Sequence, residues 1–178
     1  MALNLGIIVG STREGSVGPQ VAAWLKTEIV KYTDANVNVV DIKDYDLPFF
    51  GTDKEAPGVA RWNQTLAELD GFIFVVAEYN HSLTASLKNA LDSAKETWAN
   101  KAAGIVSYGS AGGSRAAEHL KVILTELQVA PVRTQVLLSI FTDFENWSTF
   151  KPQAIHEPNL KGMTSQLVKW AEALKTVR

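Results

Sequence analysis

The sequence predicts a doubly wound α/β fold, in which five parallel strands form a sheet covered by helices on both faces. Two observations support this prediction. Short runs of consecutive apolar residues, rich in valine and isoleucine, alternate with longer stretches whose apolar residues recur at helical spacing. Continuous apolar runs are typical of strands buried on both faces, and strands that alternate with helices form parallel sheets.

The first half of the chain supplies three of the predicted strands and two helices. The strands are predicted at 5–9 (LGIIV), 37–42 (VNVVDI) and 71–77 (GFIFVVA). The first helix follows the first strand closely, because Pro19 is compatible only with a helix's first turn. Apolar residues at helical spacing predict a second helix over 59–69, and the proline- and glycine-containing segment 44–58 before it is predicted to be a loop.

The second half continues the same alternation. Helices are predicted over 83–98, 115–127 and 160–174, and strands over 103–109 and 132–138. Because no repeat, low-complexity tract or linker interrupts this order, residues 1–178 are expected to form a single domain.

Composition excludes several classes of function. The formal net charge of −2 gives no indication of a nucleic-acid or membrane partner. The chain has no cysteine, which excludes disulfides, thiolate catalysis and cysteine-ligated metals. No metal site is expected. The N-terminal segment lacks the features of a signal peptide and is too short to cross a membrane, so we expect a cytoplasmic protein.

Three polar loops follow predicted strands, at 10–19 (GSTREGSVGP), 77–82 (AEYNHS) and 108–114 (YGSAGGS). In a doubly wound sheet these loops lie at the carboxyl edge, where ligands bind. The first loop offers the hydroxyls of Ser11, Thr12 and Ser16, the guanidinium of Arg13 and the free amides of a helix N-terminus. Such a donor set is suited to one terminal phosphate.

Two other phosphate-binding patterns do not fit the first loop. The triphosphatase pattern requires a lysine where Ser16 stands, and the dinucleotide fingerprint requires a glycine where Thr12 stands. Two interpretations remain: a loop for a single phosphate, or a polar turn capped by Ser11 or Ser16, with Arg13 solvated.

The other two loops favour the ligand interpretation. Tyr79 is able to flank a flat aromatic ligand, Asn80 to hydrogen-bond its edge, and His81 to face a substrate at the rim. The amides of the glycine-rich third loop suit a ring carbonyl or an anion. The alternative is that the second loop only packs and caps the next helix through Ser82 or Thr84, and that the third is an ordinary turn.

These segments resemble the NAD(P)H-dependent FMN reductases, a flavodoxin-like family that includes azo-, quinone and chromate reductases. The resemblance is carried in order by 10–25 (GSTREGSVGPQVAAWL), 71–92 (GFIFVVAEYNHSLTASLKNALD) and 105–120 (IVSYGSAGGSRAAEHL). It covers nearly the whole chain and implies a single flavodoxin-like FMN-binding domain.

The resemblance also implies a cofactor site. Ser11, Arg13 and Ser16 would contact the FMN phosphate, with further donors from Thr12, Val17 and Gly18. Glu78, Tyr79, Asn80 and His81 would line the flavin ring and ribityl chain, and Ser110, Gly112 and Gly113 would approach the pyrimidine side of the ring. No side chain is expected to be catalytic, although His81 is a candidate on the substrate side.

The implied activity transfers electrons from NADPH or NADH through FMN to a flavin, quinone, azo compound or metal oxyanion. The helix beginning near Leu83 is similar to the family's dimer interface, so a homodimer, or a tetramer, is expected. The chain departs from the family at Ala77, where proline is usual, at Leu83-Thr84, where aromatic-proline is frequent, and at Gly18, where asparagine is frequent. These departures bear on FMN affinity and on the path of the loops.

The sequence leaves two alternatives to a reductase function. A flavodoxin-like electron carrier would keep the FMN loops without efficient NAD(P)H turnover. A serine hydrolase is not favoured, because no Gly-x-Ser-x-Gly sequence follows a predicted strand.

Overall fold

The computed structural model describes residues 2–94 and 96–178 and confirms the predicted α/β architecture. The strands are β1 (Asn4–Val9), β2 (Asn36–Asp41), β3 (Gly71–Ala77), β4 (Lys101–Gly109), β5 (Val129–Pro131), β6 (Val136–Ser139), β7 (Phe144–Glu145) and β8 (Thr149–Phe150). The α-helices are α1 (Gly18–Ile29), α2 (Pro57–Ala67), α3 (Ala85–Asp92), α4 (Ser114–Glu126) and α5 (Glu157–Lys175). Short 3₁₀ helices lie at Ile42–Tyr45, Glu96–Trp98 and Ala154–His156.

The central sheet is parallel and has the strand order β2-β1-β3-β4, with β5 and β6 sharing the fifth position beside β4. This 2-1-3-4-5 order is the flavodoxin-like one. The chain winds outward from β1 in both directions, so strand order reverses between β1 and β3. The loops that follow these two strands therefore flank the switch point.

The fifth strand differs from the prediction. The sequence predicts one strand over 132–138, whereas the structure has β5 pairing with the start of β4 and β6 with its end. Val132 N still donates to Ala103 O (2.8 Å), and residues 133–135 then leave the sheet. The two segments are separate because residues 132–135 span only two residues of β4.

Helices cover both faces of the sheet. Every residue of β3 is buried, as expected for a strand enclosed on both sides. On one face, α1 and α5 contribute apolar residues such as Leu25 and Leu167. On the other face, α2, α3 and α4 contribute residues such as Leu66, Leu87 and Leu120. In the part of the chain that the structure describes, no helix is long and apolar enough to span a membrane.

The helix predicted over 83–98 is shorter in the structure and ends at Asp92. Two tryptophans donate hydrogen bonds to carbonyl oxygens of its last turn. The indole of Trp62 donates to Ala90 O (2.8 Å), and that of Trp98 donates to Leu91 O (3.1 Å). Both indoles are fully buried. Lys95, which falls within the predicted helix, lies outside the described residues.

A short antiparallel hairpin, formed by β7 and β8, follows the sheet and was not predicted. Its two-residue strands are held by aromatic packing, with Phe150 edge-on to Trp24 and Phe144 6.0 Å from the ring of Tyr108. Gln20, in the first turn of α1, donates to Ser148 O (2.8 Å). The hairpin therefore rests against the beginning of α1 and the end of β4.

A lysine is buried at the opposite edge of the sheet from the loops. Lys101 is 4% exposed, and its ammonium donates to Leu66 O (2.6 Å) and lies 5.5 Å from the centre of the Phe72 ring. Burial lowers the pKa of Lys101 from 10.5 to about 8, with Arg178 acting in the same direction and Asp70 opposing both.

We expect Lys101→Met to be more stable than the wild type at pH 7, with a free energy of unfolding about 1–2 kcal/mol higher, because the wild type must bury a charged group. Unfolded chains hold this proton more tightly than the folded protein. Wild-type stability should therefore rise as pH increases from about 8 toward 10.5, while the variant lacks this rise.

Urea unfolding at pH 7 and pH 9.5 measures this difference. Lys169→Met, at an exposed lysine, is the matched control and should follow the wild type. A wild-type stability that falls between these two pH values, with the same fall in Lys101→Met, would contradict the burial argument.

Candidate functional site

The loops that follow β1 and β3 are hydrogen-bonded to each other at the switch point. The hydroxyl of Thr84, which is 3% exposed, donates to Gly10 O and accepts from Leu87 N (3.0 Å), so it also caps α3. The Tyr79 hydroxyl lies 3.3 Å from Ser11 Oγ. In the structure the first loop, predicted over 10–19, comprises residues 10–17, and the second loop, predicted over 77–82, comprises residues 78–84. Of the two predicted caps, Thr84 is the one that caps α3.

The first loop presents hydrogen-bond donors without protein acceptors. Within residues 2–94 and 96–178, the backbone amides of Ser11, Thr12 and Arg13 donate to no protein group. Helix α1, which follows directly, has no acidic residue in its first turn, so no carboxylate of its own first turn offsets its positive dipole end. This part of the loop is therefore prepared for an anion.

The polar side chains of Arg13 and Ser16 are held in two different parts of the first loop. Arg13 Nε donates to the Tyr79 hydroxyl (2.9 Å), and the other guanidinium nitrogens donate to the carbonyls of Glu14 and Gly15. The arginine thus lies folded over its own loop. Ser16 Oγ accepts from Gly18 N (3.3 Å) at the start of α1.

A buried tyrosine, Tyr108, contacts the first loop from the end of β4. It was not predicted from the sequence as a site residue. The Tyr108 hydroxyl, at the end of β4, lies 3.3 Å from Ser16 Oγ. Burial raises the pKa of Tyr108, so the hydroxyl stays protonated at neutral pH and is able to donate. An aromatic residue at the end of a strand, directly before a glycine-rich loop, is the sequence signal that indicates such a role.

Glu78 connects the second loop to α4. Its side chain is 5% exposed, and its carboxylate pairs with the Arg115 guanidinium and accepts from Arg115 N (3.2 Å). Its own amide donates to Tyr108 O (3.0 Å). The carboxylate is thus directed at the N-terminus of α4, where a negative charge is stabilised.

Asn80 and His81 form the tip of the second loop. Both are exposed and have positive φ angles, of 47° and 74°. Tyr79 and Ser82 flank them and exchange backbone hydrogen bonds of 2.9 and 3.0 Å. Two consecutive left-handed residues that are not glycine are costly, and such strain is concentrated at functional sites.

Residues 110–113, the third loop, fold tightly against β4 and β6. Gly112 and Gly113 are buried, with φ angles of 66° and 71°, and Ser107 Oγ donates to Gly112 O (2.8 Å). A Cβ atom on Gly113 would lie 2.7 Å from Tyr108 N. Ser110 is exposed at the edge of the sheet.

An open cleft of about 570 Å³ lies beside the first loop. Four of the predicted site residues line it together: Ser11, Thr12, Arg13 and Tyr79. The remaining wall is formed by residues 42–49, after β2, and by the start of α3. The other predicted residues lie around it rather than in it, with Ser16, Val17 and Gly18 at the base of α1, Glu78 against α4, Asn80 and His81 at the loop tip, and Ser110, Gly112 and Gly113 in the third loop.

A flavodoxin-like strand order together with a hydroxyl-rich loop at the first helix N-terminus defines a mononucleotide-binding protein of the doubly wound class. The family model described as NADPH-dependent FMN reductase matches residues 3–143, and the chain belongs to this family. The hairpin formed by β7 and β8 lies beyond the matched residues.

Individual relatives agree with this assignment. The chain is 30% identical to the NAD(P)H-dependent FMN reductase ntnL from Nectria sp, over 97% of this chain and 89% of the relative. It is 34% identical to a 2-hydroxy-1,4-benzoquinone reductase from Burkholderia sp, over 72% of this chain and 74% of the relative. FerB from Paracoccus denitrificans, a flavoenzyme NAD(P)H:(acceptor) oxidoreductase, has the same fold, with a TM-score of 0.75, 21% identity and coverage of 97% and 98% of the two chains.

These findings confirm the predicted class of enzyme. The protein is an FMN-dependent NAD(P)H oxidoreductase, and this favours turnover with NAD(P)H over the alternative of a carrier. The chain's own residues fit the cofactor, because amides without protein acceptors, hydroxyls and a guanidinium occur together in the loop that leads into α1, as a phosphate monoester requires.

Proposed function

We propose that the first loop holds the FMN phosphate, and that the enzyme passes electrons from NAD(P)H to small-molecule acceptors, quinones among them. The observation that carries this proposal is the set of hydrogen-bond donors in the first loop, directly before α1. Ser11, Arg13 and Ser16 bind the phosphate through their side chains, and Thr12, Val17 and Gly18 add amide or hydroxyl donors. Arg13 exchanges its two loop carbonyls for phosphate oxygens, which are stronger acceptors for a guanidinium.

The second and third loops hold the flavin ring. Tyr79, Asn80 and His81 line the ring and ribityl chain, and the third loop, with Ser110, Gly112 and Gly113, approaches the pyrimidine side. Glu78 acts here mainly as a positioning residue, because its carboxylate is already occupied by Arg115.

FMN, when held by these residues, would supply the redox chemistry that links NAD(P)H to the second substrate. The protein positions the reactants and stabilises charge. Amide and hydroxyl donors of the third loop stabilise negative charge at the pyrimidine side. No side chain is required as a nucleophile, and His81, exposed at the loop tip, faces the acceptor.

The candidate acceptors are flavins, quinones, azo compounds and metal oxyanions. Quinones are favoured because a relative that matches 72% of this chain is a benzoquinone reductase. A planar quinone also suits a site whose exposed aromatic side chain, Tyr79, is 39% accessible.

We also propose that residues 1–178 form one domain that works as a cytoplasmic homodimer, with a tetramer as the alternative. NAD(P)H, its reductant, is an intracellular metabolite. The dimer would form along α3 and α4, where Leu83, Val122 and Ile123 line an apolar groove and Val122 is 73% exposed. The two flavin sites would then lie near the subunit boundary.

The experiment is NADPH oxidation by the FMN-loaded enzyme under nitrogen, where dioxygen does not serve as an acceptor. Addition of 1,4-benzoquinone should accelerate NADPH consumption in proportion to the enzyme concentration and yield one hydroquinone per NADPH. A rate of NADPH consumption that is the same with and without benzoquinone would contradict the proposed acceptor class.

A further inference from the structure

We propose that the cleft beside the first loop receives the adenosine end of the dinucleotide reductant, and that Lys43 selects NADPH over NADH by pairing with the 2′-phosphate. This inference rests on the proposed function. The cleft extends from Ser11, Arg13 and Tyr79, the proposed FMN contacts, to residues 42–49. Tyr79, the proposed contact of the flavin ring, lines the same cleft, so the wall formed by residues 42–49 is the surface that this cleft offers to the distal half of a reductant.

The aromatic side chain of Phe49 lines the cleft and is exposed to solvent. Asn89, on α3, accepts from Phe50 N (2.8 Å) and donates to Pro48 O (2.8 Å), so the backbone on both sides of Phe49 is fixed. The side chain between these two contacts, that of Phe49, is 75% exposed and lines the cleft. An exposed aromatic face on a fixed backbone is suited to stacking with a purine.

The cleft also has the charges that a phosphorylated ribose requires. Lys43 and Arg13 line it, and Lys43 forms no ion pair with any residue in the described ranges. Asp46, an acidic residue on the same wall, is suited to the 3′-hydroxyl of that ribose, the hydroxyl that the 2′-phosphate leaves free. Among the described residues that line the cleft, Lys43 is the cation that remains for a second phosphate, because Arg13 is assigned to the FMN phosphate.

The cleft has the size of a cofactor-binding pocket. Its volume of about 570 Å³ falls in the range of pockets that enclose cofactor-sized ligands, roughly 300–1,000 Å³. The cleft is open to solvent along one side, as expected for a substrate that must bind and leave in each cycle.

The first test compares reductants in the FMN-loaded enzyme. Lys43→Gln should raise KM for NADPH about tenfold, the size expected for a charged hydrogen bond, without changing kcat or the KM for NADH. Lys54→Gln, at an exposed lysine that lies outside the cleft lining, should change neither. Equal effects of Lys43→Gln on NADPH and NADH would overturn the role assigned to Lys43.

The second test measures binding without turnover. Adenosine 2′,5′-bisphosphate is titrated calorimetrically into the FMN-loaded enzyme and should bind more tightly than 5′-AMP. Lys43→Gln should remove this difference, and Phe49→Ala should weaken both ligands roughly fivefold. Phe50→Ala, at an exposed aromatic that does not line the cleft, should weaken neither.

These outcomes are separable from the proposed function. Suppose that NADPH reduces the bound flavin, but that each adenosine ligand binds the wild type and the Phe49→Ala variant with equal affinity. The cleft would then not be the adenosine site, while the proposed reductase activity would still hold. If Phe49→Ala instead changes only the oligomeric state in gel filtration, a second copy of the chain occupies this wall and the inference is overturned.

Discussion

Replacing Gly113 with alanine should lower the free energy of unfolding by about 3–4 kcal/mol and abolish detectable FMN binding. At this position φ is 71°, which disfavours any residue with a Cβ atom. The new Cβ would also lie 2.7 Å from Tyr108 N and 2.9 Å from Tyr108 O, which are backbone atoms of the central sheet. Relief requires the third loop to move off β4. Urea unfolding of the apoprotein and FMN titration measure the two effects.

Gly51 provides a matched control for this substitution. Its φ is 89°, but a Cβ atom there would have no neighbour within 4 Å among residues 2–94 and 96–178. Gly51→Ala should therefore show the backbone strain alone, a loss of about 1 kcal/mol, with FMN binding unchanged. Equal losses at the two positions would show that the close packing of the third loop on β4 is not what requires Gly113.

Replacing Arg13 with alanine should raise the dissociation constant of FMN by about 10- to 100-fold, and that of riboflavin by no more than about twofold. The two ligands differ only in the phosphate, which is the group that Arg13 is proposed to bind. In the structure its guanidinium donates a hydrogen bond to the Tyr79 hydroxyl, next to the first loop. Quenching of flavin fluorescence on addition of apoprotein measures both constants.

Two variants make the Arg13 result specific. Arg133→Ala removes an exposed arginine from the segment between β5 and β6 and should leave both flavins unaffected. Arg13→Lys keeps the charge without the forked geometry and should fall between the wild type and Arg13→Ala. If Arg13→Ala weakens FMN and riboflavin equally, Arg13 supports Tyr79 rather than binding the phosphate.

Elements whose limits are set by their own residues were predicted well, and elements whose limits are set by contacts with distant residues were not. The limits of β3 were predicted to the residue, because a continuous apolar run with β-branched residues is recorded in the sequence itself. The fifth strand was misplaced because its limits depend on pairing with β4, which the sequence of 129–139 does not contain. The end of α3 depends on indoles from Trp62 and Trp98, which are brought to it by the fold.

The candidate site shows the same division. Residues that follow strands, such as Ser11 and Tyr79, were predicted because topology alone places strand ends at one edge. The contact between Thr84 and Gly10 spans 74 residues, and that between Ser16 and Tyr108 spans 92. Contacts of this kind appear only in the folded chain, which is why Tyr108 was missed.

The FMN assignment and the NAD(P)H-dependent turnover are tested together by one measurement, the visible spectrum of the FMN-reconstituted protein under nitrogen. We expect the bands of oxidised flavin to remain with the protein through gel filtration and to bleach on addition of NADPH. Full bleaching by dithionite with none by NADPH or NADH would contradict a reductase and indicate a carrier. A protein that emerges colourless after incubation with FMN would contradict the cofactor site itself.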